Sequence, residues 1–215
     1  MAAAQSGSGA LSRLLLRAAY ATVMAGASCF LAVAAFTQFV RGDLDISRDT
    51  LSLYLHGPWG LTLRCMYGVL AGSVVVLGAA LYRHADGPRR SAAVPLLWAL
   101  AALGLLGVAV GDSWLPTCAP LLWPLVHGVS AMTAFLCATV GLLLQAWYLR
   151  VAPGWKRGGR VLWGWAWLAF VLLWCHVLLR EAPRGAGQKL VIVVIVGWLL
   201  CAAWIGWRRA RHTHG

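Results

Sequence analysis

Between Ser91 and Leu149 the chain runs through two long apolar stretches in which only Asp112 and His127 carry charge or exchange a proton near neutral pH. An ionisable group at membrane depth is costly, so those that persist face a bundle interior or an aqueous cavity and mark a site. The types matter as much as the rarity. A carboxylate bonded to one imidazole nitrogen orients the ring, so that the other nitrogen can act as a general base toward a hydroxyl or a water. His127 and Asp112 would also suit zinc if His56 and His176 joined them. No HxxxH or HExxH pattern links these donors, which are scattered over separate segments, and no metal or other cofactor is expected.

The elements that must position the pair follow from composition. Hydrophobic residues make up 61% of the 215-residue chain and charged ones 11%, with a mean hydropathy of +0.75. Apolar runs of about 20 residues cross the hydrocarbon core as helices. Six such runs occur, over 14–40, 61–82, 92–110, 120–149, 161–179 and 190–207. The fourth is longer than a span requires and is expected to tilt or to project into the interface. A closed barrel would need apolar and polar residues in alternation. Blocks such as Val74-Val75-Val76-Leu77 and Leu190 through Val196 show none. The expected fold is therefore all-α, a polytopic membrane protein with six transmembrane helices in one bundle. That bundle occupies 13–208, between a disordered tail over 1–12 and a basic tail over 209–215.

Charge sets the expected orientation. Twelve of the 18 Lys and Arg, among them Arg13, Arg17, Lys156, Arg157, Arg208 and Arg209, fall at the helix ends that share a side with the termini. The other six, Arg41, Arg48, Arg64, Arg180, Arg184 and Lys189, fall opposite, with Asp43, Asp45, Asp49, Asp112 and Glu181. The basic side is cytoplasmic by the positive-inside rule, which places both termini in the cytoplasm. The net charge of +12 thus lies beside anionic headgroups and does not call for nucleic acid. Membrane lipids are the expected partners. Small-residue helix faces would permit a homodimer, but nothing specifies one.

Arg13, Arg17 and the apolar run behind them have the outline of a signal peptide, with Gly26-Ala27-Ser28-Cys29 faintly like a lipoprotein box. Gly26 stands where Leu is usual and the run continues to Val40, so the segment is expected to remain as the first helix. The six cysteines form no CxxC pair and read as small apolar residues. The Trp residues near helix ends, including Trp123 and Trp155, read as aromatic belts.

Counting residues along each helix brings a polar constellation to one level. Asp112 is expected to close the third helix, and His127 lies about 10 Å below the surface in the fourth. Ser52, Tyr54 and His56 precede the second helix, Arg64 lies one turn within it, His176 sits near the outer end of the fifth, and Gln188 and Lys189 open the sixth. This pattern combines Ile46-Ser47 through Leu51-Ser52-Leu53-Tyr54, an Asp at the third helix end, an early His in the fourth, and Gly187-Gln188-Lys189. It resembles the bacterial six-helix membrane family called domain of unknown function 998. The resemblance covers nearly the whole chain. It implies a bacterial inner membrane and site positions at Ser52, Asp112, His127 and Gln188, with Lys189 where Arg is more usual. It implies no reaction.

Three readings follow from the residues. An outward-facing polar pocket built from Asp112, His127, Ser52, Gln188, Arg64, Lys189 and His176 would bind, sense or transport a lipid or small polar ligand. The same pair, with Ser52 or water as nucleophile, would make a membrane-embedded hydrolase or transferase acting on an outer-leaflet lipid. A structural subunit would use Asp112 as a helix cap or ion-pair partner and His127 as a hydrogen-bonding residue within the bundle. Lipid or small-ligand handling is favoured, and no catalytic residue is assigned.

Overall fold

The computed structural model describes residues 2–84, 91–179 and 181–212, with side chains over 11–83, 91–179 and 181–211. The apolar runs form α1 (Ala2–Val40), α2 (Gly60–His84), α3 (Ala93–Cys118), α4 (Trp123–Val151), α5 (Lys156–Leu178) and α6 (Arg184–His212). All six are long and apolar enough to cross a membrane. The expected tail over 1–12, apart from Leu11 and Ser12, lies outside the residues whose side chains are described. The loop basics Arg89 and Arg90, the cation at Arg180 and the end of the basic tail lie outside them too.

Each helix packs on its successor and α6 returns to α1, so the bundle closes as a ring. Its most extensive contact, between α3 and α4, depends on glycine. A Cβ at Gly104 would lie 2.6 Å from both the Ser130 carbonyl oxygen and the Ala134 nitrogen, and one at Gly107 would collide with the Ser130 hydroxyl. Bare backbone therefore touches backbone, as small residues allow between membrane helices. This close approach sets the separation of Asp112 on α3 from His127 on α4.

Two expectations need correcting. Asp112 does not close the third helix, which continues to Cys118 with Pro116 inside its last turn. Polar side chains there satisfy themselves on the helix: Ser113 Oγ donates to the Ala109 carbonyl at 2.7 Å and Thr117 Oγ1 to that of Trp114 at 2.8 Å. Pro116 has no N–H to offer the carbonyl four residues back, which is that of Asp112, so the ladder is interrupted at the acidic residue. Nor is every helix-end Trp part of a belt. Trp155 is buried, as are Trp98 and Trp198. The Trp198 indole donates to the Leu162 carbonyl at 2.8 Å, tying α6 to α5.

The connection from α1 to α2 carries a short 3₁₀ helix, Leu51–Leu55, with Leu51, Tyr54 and Leu55 buried. We call the side it occupies the upper face. Asp45 nucleates the approach, accepting from the Ser47 backbone at 2.7 Å and from that of Arg48 at 3.0 Å. The same stretch caps α6: the Ser47 and Arg48 carbonyls accept from Ala186 at 2.8 Å and Gly185 at 3.1 Å. A Cβ at Gly185 would collide with the Asp49 carbonyl, so the cap requires glycine there.

Candidate functional site

Trp123 and His127 stand one turn apart on α4, and that spacing puts both on one helix face. Both reach the same oxygen. The Trp123 indole N–H donates to Asp112 Oδ1 at 2.8 Å, and His127 Nδ1 lies 2.8 Å from that atom. Asp112 is only 2% exposed. An ionised carboxylate can only accept, so Nδ1 carries the proton of the neutral ring and Nε2 keeps its lone pair. Asp112 Oδ2 is buried with no hydrogen-bond partner among the described residues. His56 Nε2 lies 4.0 Å from it.

Inside the ring lies a cavity walled by every helix except α5, with the 3₁₀ helix at its top. Ser52, His127 and Gln188 supply its polar upper end, whereas Ala134, Ala138, Ile195 and Leu199 are among the apolar residues below. The cavity is small, about 70 Å³. The void is a narrow slot. From Gln188 to Leu199 on α6, or Val108 to Trp98 on α3, it extends about 15 Å along the helix axes, about half the hydrocarbon thickness.

The sequence-derived candidates separate into two groups. Asp112 and His127 meet, and His127, Ser52 and Gln188 share the cavity. Arg64 turns back on its own helix, its Nε donating to the Gly60 carbonyl at 3.4 Å. Lys189 leaves the cavity for the loop, with Nζ donating to the Ile46 carbonyl at 2.8 Å and standing 4.8 Å from the Tyr54 ring centre. His176 packs against Gly187, where a Cβ would fall 2.8 Å from its Nδ1. Among the described residues no three His, Cys, Asp or Glu side chains converge as metal donors, so the four-donor set with His176 does not assemble.

Gln188 has a second role. Its Oε1 accepts the Leu51 N–H at 2.8 Å, which holds the first turn of the 3₁₀ helix over the slot. Ser52 Oγ lies 3.0 Å from Thr50 Oγ1. Arg41, considered in the sequence only for topology, staples the far end. Its guanidinium grips Asp43 through two bonds of 2.7 Å and donates a further bond to the His56 carbonyl. That pairing pulls the Asp43 carboxyl below its ordinary value of 3.8 and pushes the Arg41 guanidinium up. Trp123 was also missed as a site residue. Its distance of four positions from His127 was the available signal.

The sequence profile of a family described as "Protein of unknown function (DUF998)" matches residues 7–205. No curated protein and no solved structure matches the chain.

Proposed function

The chain belongs to the DUF998 family as a multi-pass membrane protein, and we propose that it binds a lipid-like amphiphile through the slot in its bundle. The carrying observation is the cavity's layout: a polar end at Ser52, His127 and Gln188 continues directly into an apolar slot one leaflet deep. An acyl chain fills a narrow apolar channel by shape and burial, with each methylene contributing about 0.8 kcal/mol. The polar end then meets the headgroup or ester region. In this reading the upper face is outward, the termini are cytoplasmic as the basic residues require, and the membrane is a bacterial inner membrane.

Titration of the purified protein in nanodiscs with a pyrene-labelled long-chain fatty acid tests the proposal, with energy transfer from the protein's tryptophans, the cavity's Trp98 among them, to pyrene as the signal. Saturable transfer is expected, and Ala138→Phe, which plugs the slot, should weaken it at least tenfold. Equal binding by wild type and Ala138→Phe would contradict the slot as the site.

A further inference from the structure

We propose that the upper end of the slot is a serine esterase centre that cleaves a long-chain acyl ester. The proposal rests on the lipid-slot reading and assigns that site a chemistry. Ser52 is the nucleophile, His127 the general base, Gln188 the oxyanion donor, and Asp112 the positioning residue behind His127.

The assignment comes from which atoms are committed and which are left. Asp112 takes His127 through Nδ1 at 2.8 Å and does not itself line the cavity, so the ring's working nitrogen is Nε2. Ser52 reaches the same cavity from the 3₁₀ helix. Thr50 Oγ1 lies 3.0 Å from Ser52 Oγ, and in the rotamer where the threonine donates, the serine proton is left for a base. Gln188 spends Oε1 on the Leu51 N–H at 2.8 Å, which fixes the amide and leaves its NH₂ as the donor for a ligand. Because Leu51 adjoins Ser52, that bond also ties the donor's position to the nucleophile's. Nucleophile, oriented base and oxyanion donor thus line one end of the same cavity, where the polar end gives way to the acyl slot, the level an ester carbonyl would occupy.

The reaction balances without a further reagent. Ser52 Oγ attacks the carbonyl carbon while its proton passes to His127 Nε2, and the oxygen that gains the electron pair is met by the Gln188 amide. Collapse breaks the bond to the alkoxy oxygen, which takes the proton from His127 and departs as an alcohol. Water, deprotonated by His127, then attacks the acyl-Ser52 ester and releases a fatty acid, and the proton returns to Ser52. Ester and water become acid and alcohol.

The test reacts the full chain in nanodiscs with an alkyl fluorophosphonate, maps the adduct by mass spectrometry, and follows hydrolysis of a long-chain p-nitrophenyl ester. The expected adduct is on Ser52 and is absent in Ser52→Ala. His127→Gln should slow hydrolysis by about 10²–10⁴ and Gln188→Ala by about 10²–10³. Asp112→Asn should also shift the pH profile, a change that loss of packing alone does not produce. Wild type that binds the fatty acid but leaves Ser52 unlabelled, or hydrolysis indifferent to Ser52→Ala, overturns the esterase and leaves the slot standing. Wild type that neither binds nor reacts removes both.

Discussion

Trp123→Phe removes one hydrogen bond at Asp112 while keeping an aromatic ring in place. The carboxylate is 2% exposed and holds both its donors on Oδ1, at 2.8 Å from Trp123 and 2.8 Å from His127. A hydrogen bond to a charged group contributes about 1.5–3 kcal/mol, against about 0.5–1.5 for a neutral pair. Trp123→Phe should therefore cost about 1.5–3 kcal/mol in the wild-type background. In an Asp112→Asn background the same change should cost only about 0.5–1.5 kcal/mol, because the acceptor is then neutral. The coupling between the two sites is thus about 1–1.5 kcal/mol. Packing lost with the smaller ring occurs in both backgrounds and cancels in the cycle. Reversible unfolding in bicelles of the wild type, both single variants and the double variant measures it. Additivity to within about 0.3 kcal/mol would refute the charged, Trp-bonded Asp112.

Four further outcomes follow from the geometry. Gly104→Ala should destabilise by about 1–3 kcal/mol through the 2.6 Å approach to the α4 backbone. Gly68→Ala, whose Cβ meets nothing within 4 Å, should be neutral or stabilising in the same unfolding assay. The Arg41–Asp43 staple should depend on acid. Because the folded Asp43 carboxyl lies below its ordinary 3.8, its contribution is present above that value and is lost as pH falls through the lower folded one. Hydrogen exchange over 43–57 should differ between wild type and Asp43→Asn at pH 6 and converge as pH falls through the folded carboxyl's lowered value. Finally, Gln188→Leu removes the acceptor for the Leu51 N–H. It should speed hydrogen exchange over 51–55 by roughly tenfold, equivalent to about 1.4 kcal/mol for one partly buried bond. Unchanged exchange would show that Gln188 does not hold the 3₁₀ helix.

Hydropathy alone located the six crossings because a span must be long and apolar, a constraint local to each segment. The rarity of charge likewise singled out Asp112 and His127, which meet. Counting residues gave height without direction. Successive residues on a helix point about 100° apart, so Gln188 enters the cavity while Lys189, at nearly the same height, turns to the Ile46 carbonyl. The same blindness admitted Arg64 and His176. The end of α3 was missed because the apolar run stops at Val110 before the polar Asp112 and Ser113, although polar side chains that bond back on the helix, as Ser113 and Thr117 do, let it continue. Trp123 read as a belt residue because interfacial position is visible in a sequence and a hydrogen-bond partner on another helix is not. The slot had no signal along the chain, since it is the space left between Ala134 and Ala138 on α4 and Ile195 and Leu199 on α6.

The central claim is that a lipid chain enters the bundle instead of lying on its outside. Photolysis of the nanodisc-embedded protein with a terminal-diazirine fatty acid, followed by mapping of the adducts, tests it most directly. The slot predicts labelling at Ala134, Ala138, Ile195 or Leu199, removed by Ala138→Phe. Labelling confined to the membrane-facing Trp167, Val171 and Trp174 of α5, and unaffected by Ala138→Phe, would contradict it.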